Sequence, residues 1–181
     1  MDYSNYTKAI SRGDREMFRA YMDMTIDSIF RLACRIVASE DDANDIVQET
    51  YIRVWEKRKS LKKENSIFAW TKRIAINKCY DLLRAEKRKA KRNRGGDPGE
   101  LIMLESSRNA EENINGEEYR KILKFLISKL STKQQVVFTL SAVEKLTADE
   151  IEEITGMSKN SIKSNLHHAR KAVKKNAERI L

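Results

Sequence analysis

A row of amide, hydroxyl and basic side chains near the C-terminus has the chemistry of a surface that binds nucleic acid. With about 100° of rotation per residue, these groups would share one face of a helix. The row is Asn160, Ser164, His167 and Lys171, and the cations that flank it are Lys159, Lys163, Arg170 and Lys174. Amides and cations in the first turns of such a helix suit base edges in a major groove, and the other cations suit phosphates. The alternative is a solvated basic face on an ordinary amphipathic helix.

Start and stop signals predict two consecutive helices around this row. Thr147 with Glu150 forms a capping box that opens a short helix over 148–155. Gly156 suits a left-handed helix end, and Ser158 can cap the longer helix that follows. Helix, glycine turn and capped helix are typical of a helix-turn-helix. The apolar face of the last helix is expected to pack on the first helix of this unit; it holds Ile162, Leu166, Ala169 and Val173.

The sequence contains no arrangement typical of catalysis or of a metal centre. His167 and His168 are adjacent, so on a helix they point about 100° apart and cannot chelate one ion as an i, i+4 pair would. Cys34 and Cys79 lie in apolar-periodic stretches and are predicted to be buried thiols, with a disulfide or metal site as the alternative. We therefore predict a protein that is not an enzyme and that uses no metal or cofactor.

Three further helices are predicted in the N-terminal half. Gly13 and Asp14 precede an apolar-periodic stretch, Ser39 with Asp42 forms a capping box, and another helix starts near Ser66. The helix after Ser39 has an apolar stripe at helical spacing, made of Ala43, Ile46, Val47, Thr50 and Val54. Its far side carries Asp45, Gln48, Glu49 and Ile52.

Composition favours helices and a polyanionic partner. Pro98 is the only proline among 181 residues, and the formal net charge is +9. Such charge leaves DNA, RNA and an anionic membrane surface all open. No apolar run approaches the ~20 residues that a membrane span needs, and the N-terminus lacks the apolar core of a signal peptide. We therefore predict a cytoplasmic protein without direct membrane insertion.

One segment has the composition of a linker. Residues 93–116 hold four of the six glycines and the only proline, and they are acidic where the preceding segment is basic. The sequence thus predicts an all-α protein, with a helical domain over 6–92 and a second over 117–178 joined by a flexible linker.

Three stretches resemble the extracytoplasmic-function (ECF) sigma factors of the sigma-70 family. The first is DDANDIVQETYIRVW, which starts at residue 41, and the second is FAWTKRIAINKCYDLLR, which starts at residue 68. The third starts with LSTKQQVVFTL at residue 130 and continues through the helix-turn-helix. The first motif is specific, whereas the third is shared with other helix-turn-helix regulators. Ser131 replaces the usual proline, Glu152 stands where a small residue is common, and His168 replaces a frequent arginine. The resemblance implies region 2 in the first domain and region 4 in the second.

The resemblance also implies residue roles in promoter binding. The far side of the second helix would dock on the clamp helices of RNA polymerase through Asp45, Gln48, Glu49 and Ile52, with a solvated acidic face as the alternative. The loop over 57–65 and the helix after it would read the −10 element as single strand, with a base flipped into a pocket of the loop. The contacting residues would be Lys62, Lys63, Asn65, Ser66, Lys72, Arg73, Asn77, Tyr80 and Arg84.

Other parts of the chain take roles in the same scheme. The basic tail over 84–94 would hold upstream DNA, or be a solvated charge run. Phe68 and Trp70 are interpreted as core, with base stacking as the alternative. The helix that starts after Ser158 would read the −35 element as duplex through Lys159, Asn160, Lys163, Ser164, His167, Arg170 and Lys171.

The function implied is that of an alternative sigma factor, with bacterial core RNA polymerase, promoter DNA and an anti-sigma factor as partners. A stand-alone helix-turn-helix regulator is the second hypothesis, and the motif over 41–57 argues against it because such a regulator does not need it. A basic protein that binds RNA or a membrane surface is the third. The capped helix-turn-helix and the scarcity of aromatic residues for base stacking argue against that one.

Overall fold

The structure, a computed structural model, describes residues 3–37, 39–61, 66–92 and 116–179, and these residues form helices and the turns between them. The helices of the first half are α1 (Ser4–Ser11), α2 (Arg15–Ile36), α3 (Glu40–Glu56) and α4 (Ile67–Arg92). Those of the second half are α5 (Gly116–Ser128), α6 (Thr132–Phe138), α7 (Ala148–Thr155) and α8 (Lys159–Ala177). The described part of the chain contains no strand, so the all-α prediction is confirmed.

Contacts between Cα atoms divide the chain into two compact units. One unit contains residues 1–82 and 149–158, and the other contains residues 83–148 and 159–181. Helix α4 continues through the first of these divisions. The predicted domain limits at residues 92 and 117 stay predictions. Residues 93–115 of the predicted linker lie outside the described residues.

Side-chain caps fix where α2 and α3 begin. The Asp14 carboxylate accepts a hydrogen bond from the backbone N–H of Met17 at 3.0 Å, and the Ser39 hydroxyl accepts one from the N–H of Asp42 at 3.2 Å. Each cap satisfies a donor that has no partner within its helix. Gly13, just before the first cap, has a φ of +93°, a backbone conformation that costs glycine little. Both predicted helix starts are confirmed.

The predicted apolar stripes form much of the core of the first unit. All members of the α3 stripe are buried: Ala43, Ile46, Val47, Thr50 and Val54. On α2, Tyr21 donates or accepts a hydrogen bond with Thr71 at 2.7 Å, and Thr25 bonds the Tyr51 hydroxyl at 2.9 Å. Burial raises the pKa of Tyr51 to about 12. These hydroxyls tie α2 to α3 and α4 through pairs that satisfy buried polar groups.

Helix α1 was not predicted from the sequence. Its apolar content is small, but Ile10 is fully buried. The Thr7 hydroxyl accepts a hydrogen bond from the backbone N–H of Ile67 at 3.4 Å, and the Tyr3 ring stacks on Phe68 with centroids 5.1 Å apart. Helix α1 therefore packs on the N-terminus of α4, a long-range contact that no local signal indicates.

The second unit packs α8 against α5 and α6. Its core cluster contains Ile127 from α5, Leu130 from the turn after α5, Phe138 from α6 and Ala169 from α8. Leu166 and Val173 of α8 lie against the same cluster. The apolar face of α8 was expected on the first helix of the helix-turn-helix, whereas its partners in this cluster lie in α5, α6 and the turn between them. Gly156 has the predicted positive φ, +70°.

Ser131, the residue that departs from the family's proline, is the cap of α6. Its hydroxyl accepts from the Gln134 N–H at 3.4 Å, and its own N–H donates to the Gln134 side-chain oxygen at 3.1 Å. This reciprocal pair is a capping box, a Ser-x-x-Gln signal that was not recognised in the sequence. It gives α6 a defined start without a proline.

We expect Ser131→Ala to lower the free energy of unfolding by about 1 kcal/mol, since it removes one side of the capping box. Urea denaturation followed by circular dichroism measures the change. Ser128→Ala is the matched control, because the exposed Ser128 hydroxyl only donates to the Phe125 carbonyl within the same helix. Equal losses for the two variants would contradict the capping role.

The two cysteines are thiols and are not joined in a disulfide. Cys79 is fully buried, as predicted, and burial raises the pKa of its thiol to about 12. Cys34 is only half-buried. A buried neutral thiol behaves as a small apolar side chain, so Cys79 contributes to packing rather than to chemistry.

Candidate functional site

An apolar groove runs between α2 and α3, with a volume of about 670 Å³. We call it the α2–α3 groove. Three rows of side chains at i, i+4 and i+8 spacing line the groove. One row comes from α2 and two rows come from α3. These rows are Phe18, Met22 and Ile26 on α2; Asn44, Gln48 and Ile52 on α3, continued by Glu56; and Val47, Tyr51 and Trp55, also on α3. Regular rows of this kind give a groove the form that accepts another helix.

Large apolar side chains are left in solvent along this groove. Ile52 is 53% exposed and Ile26 is 38% exposed. Beneath them, Phe18 packs on Trp55 with ring centroids 5.0 Å apart, and the Arg58 guanidinium lies 4.2 Å from the Trp55 ring centroid. Clustered exposed apolar side chains are typical of a surface that binds a partner.

The structure separates the residues that were predicted to dock on polymerase. Gln48 and Ile52 line the α2–α3 groove, and Asp45 is exposed on the same helix. Glu49 is also exposed, but it lines a different groove. The α2 side of the groove, Phe18, Met22 and Ile26, was missed as a binding surface. The available signal was their spacing in the sequence, i, i+4 and i+8, which places the three apolar side chains on one face of a helix.

The second groove lies between α3 and α4 and has a volume of about 710 Å³. We call it the α3–α4 groove. The α3 side and the residue after it contribute Glu49, Ile52, Arg53, Glu56 and Lys57, and the α4 side contributes Trp70, Arg73, Ile74, Asn77, Lys78 and Asp81. The Lys78 ammonium donates to the Glu49 carboxylate across the groove, and Arg53 pairs with Glu56 at 3.1 Å. Unlike its neighbour, this groove is dominated by charged and amide groups.

The predicted −10 residues on α4 fall into two groups. Arg73 and Asn77 are exposed in the α3–α4 groove, whereas Lys72 and Tyr80 are half-buried and do not line it. The Lys72 ammonium instead lies 4.4 Å from the centroid of the Phe68 ring. Ser66 and Arg84 are exposed, and Lys62, Lys63 and Asn65 lie outside the described residues.

The two aromatic residues near the start of α4 also differ. Phe68 is half-buried, with Tyr3 stacked on its ring and the Lys72 ammonium against it. Trp70 is half-buried too, but it lines the α3–α4 groove beside Arg73. Phe68 therefore packs within the unit, while Trp70 borders a surface that is open to a ligand.

Helix α8 presents the predicted polar row to solvent. The exposed residues are Lys159, Asn160, Lys163, Ser164, His167, Arg170 and Lys171, whereas Ile162 and Ala169 are buried. The segment KNSIKSNLHHARKAVKKNA contains five lysines and one arginine but no acidic residue. A helix with one buried apolar face and one exposed face of cations, amide and hydroxyl groups suits a polyanion.

The described residues offer neither a metal centre nor a membrane span. No group of three or more histidine, cysteine or acidic side chains among them is arranged to hold a metal ion. No helix in the described ranges is long and apolar enough to cross a membrane.

Two family models match the chain. The model described as "Sigma-70 region 2" matches residues 14–89, which include α2, α3 and most of α4. The model described as "Sigma-70, region 4" matches residues 120–173, which include the helix-turn-helix. Both grooves and the first four turns of α8 lie within the matched ranges.

Whole-chain comparisons agree with the family models. The "ECF RNA polymerase sigma factor SigW" of Bacillus subtilis (strain 168) is 27% identical over 173 residues, which cover 93% of this chain and 92% of SigW. CnrH, solved in complex with the cytosolic domain of CnrY, aligns over 97% of both chains with 19% identity and a TM-score of 0.67. The sigma factor RpoE, solved with the anti-sigma factor NepR from Bartonella quintana, has 18% identity and a TM-score of 0.61, with 89% of this chain and 96% of that chain covered.

Proposed function

The chain belongs to the extracytoplasmic-function sigma factors of the sigma-70 family, and we propose that its two grooves and its last helix divide the work of promoter recognition among them. As an alternative sigma factor it binds bacterial core RNA polymerase and directs transcription initiation. The division of labour rests on one observation. Gln48 lines the largely apolar α2–α3 groove and Glu49 lines the charged α3–α4 groove, and the two grooves adjoin at Ile52 and Glu56 of α3.

The α2–α3 groove is the docking site for polymerase. Its apolar rows suit the side chains of a helix, and Gln48 and Asn44 supply hydrogen bonds at its edge. Asp45, exposed on the same helix, adds charge at the rim, where it influences association rate more than affinity. Burial of Ile52 and Ile26 against a partner removes apolar area from water and so stabilises the complex.

The exposed face of α4 binds the −10 element. Arg73 and Asn77 offer a cation and an amide in the α3–α4 groove, with Trp70 beside them as an apolar surface. Ser66 and Arg84 extend this face toward the two ends of the helix. We retain Lys62, Lys63 and Asn65, which lie outside the described residues, as contacts because the resemblance to the family implies that they bind an unstacked base. Lys72 and Tyr80 are secondary candidates, since both are half-buried.

The exposed row of α8 binds the −35 element in the major groove. Lys159, Asn160, Lys163 and Ser164 lie in the first two turns, where a recognition helix meets base edges. His167, Arg170 and Lys171 follow on the same exposed surface and suit the phosphates. Two weak contacts with separate promoter elements reinforce each other once both domains are carried by one polymerase.

The remaining properties follow from this function. We place the protein in the cytoplasm, because that is where the bacterial chromosome and polymerase are. The polymerase makes the phosphodiester bonds, so the protein needs no catalytic residues of its own. The similar sigma factor RpoE was solved bound to an anti-sigma factor, and we propose an anti-sigma factor as a partner of this chain as well. We also keep the domains at 6–92 and 117–178, with 93–116 as linker.

Run-off transcription tests the proposed function. Core polymerase is incubated with and without the protein on a library of bacterial upstream regions, and the 5′ ends of the transcripts are sequenced. We expect new start sites that share two elements at a fixed spacing. Silence, together with sequence-specific binding of the protein alone to duplex DNA, would favour a stand-alone regulator instead.

A further inference from the structure

Glu49 and Lys78 form an ion pair that joins α3 to α4 across the α3–α4 groove. The Glu49 side chain is 57% exposed and the Lys78 side chain is 37% exposed. Exposed pairs of this kind contribute only about 0–1 kcal/mol to folding. The pair therefore affects what Lys78 can bind more than it affects the stability of the fold.

The direction of Glu49 sets it apart from its neighbour in the sequence. Consecutive residues on a helix point about 100° apart, so Gln48 and Glu49 face different surfaces. Gln48 lines the α2–α3 groove with Val47 and Tyr51, whereas Glu49 lines the α3–α4 groove with Arg53. The Glu49 carboxylate thus lies on the side of α4 that holds Arg73 and Asn77.

The charges of the α3–α4 groove explain what the pair does to a polyanion. Four cationic side chains line the groove: Arg53, Lys57, Arg73 and Lys78. Two of them are bonded to carboxylates within the groove, Arg53 to Glu56 and Lys78 to Glu49. Because a lysine ammonium has three N–H donors, a phosphate that binds Lys78 either displaces the Glu49 carboxylate or binds beside its negative charge. Both effects lower the affinity of the groove for DNA backbone.

We propose that Glu49 is an intramolecular competitor of DNA phosphate for Lys78, a positioning residue that weakens the binding of DNA of any sequence. This inference rests on the proposed function, in which the α3–α4 groove carries −10 DNA, and it moves Glu49 from the polymerase surface to the DNA surface. Specificity is a difference between affinities, so a device that lowers backbone affinity makes the contacts to bases decide between sequences.

The test uses holoenzyme reconstituted from core polymerase and the full-length factor. The variants are Glu49→Gln, Lys78→Gln and the double variant, and Asp27→Asn is the control, because Asp27 is exposed on α2, lines neither groove and gives the same change in net charge. Two probes are titrated over a salt series: a fluorescent non-promoter duplex, and a promoter found by run-off transcription. The affinity of each factor for core polymerase is measured separately.

We expect Glu49→Gln to tighten binding to both DNAs about threefold to tenfold and to steepen the salt dependence by about one counterion. The gain should vanish in the Lys78→Gln background, and binding to core polymerase should be unchanged. A gain that persists without Lys78, or that Asp27→Asn reproduces, contradicts the inference because it is then a general charge effect. Weaker core binding with unchanged DNA affinity would return Glu49 to the polymerase surface.

Failure of the inference and failure of the proposed function give different results. If the wild-type factor supports no promoter-specific transcription, the proposed function is wrong and the inference falls with it. If the wild-type factor is active and Glu49→Gln behaves as wild type in every DNA titration, only the inference is wrong.

Discussion

Ile52→Asp is expected to abolish the activity of the factor with polymerase while leaving the protein folded. Ile52 is 53% exposed in the free protein, so the folded state tolerates a carboxylate there. In the proposed complex the same carboxylate is enclosed by the apolar rows of the α2–α3 groove. An unpaired charge in such a contact costs about 3 kcal/mol or more, which weakens binding more than about 100-fold.

Met24→Asp is the matched control for this variant. Met24 is 41% exposed on α2 and does not line the groove, so the same substitution adds a charge without entering the proposed contact. The measurements are the affinity for core polymerase and the yield of run-off transcript, with circular dichroism to confirm folding. Equal behaviour of the two variants would remove the α2–α3 groove from the polymerase interface.

Two substitutions on α8 are expected to separate base reading from phosphate binding. Asn160 is exposed in the first turn of α8, and an amide there suits the hydrogen-bonding edge of an adenine. Asn160→Ala should cost about 1–3 kcal/mol on the −35 element and relax specificity at one base pair. Lys171 lies three turns further on, so Lys171→Ala should weaken all sequences equally and reduce the salt slope by about one counterion.

Lys133→Ala is the control for both, since Lys133 is an exposed cation of α6 rather than of α8. The measurement is a competition between promoter duplexes that differ at single positions of the −35 element, carried out with holoenzyme at several salt concentrations. An Asn160→Ala loss that is the same on every sequence would show that Asn160 holds the backbone. No loss in either variant would place the −35 interface on another surface.

Most of the features that the sequence predicted depend on residues close together in the chain, although the local capping box of Ser131 and Gln134 was missed. The starts of α2 and α3 follow from Asp14 and Ser39, and each cap is a bond to a backbone N–H three residues away. The turn before α8 follows from Gly156, whose φ of +70° suits a residue without a Cβ. The exposed basic row of α8 follows from helical periodicity alone. Once the apolar face of the helix is buried, the opposite face, which holds this row, must be exposed.

Sequence reasoning failed where a feature depends on the position of a second helix. Helix α1 was missed because it is held by Thr7 and Tyr3 on the start of α4, some 60 residues away in the chain. The α2 side of the α2–α3 groove was missed because the apolar periodicity of α2 does not show that Ile26 is left exposed. Burial by a neighbouring helix, which the sequence does not encode locally, decides whether such a residue is core or surface.

By itself, then, the sequence determined the all-α class, the caps of α2 and α3, the basic face of α8 and the family to which the chain belongs. Only the tertiary structure decided that α3 borders two grooves, which adjoin at Ile52 and Glu56, and that Gln48 and Glu49 line different ones. The physical reason is that a groove is a property of two helices. The pitch of α3 separates these side chains by about 100°, and the packing of α2 and α4 decides what each of them meets.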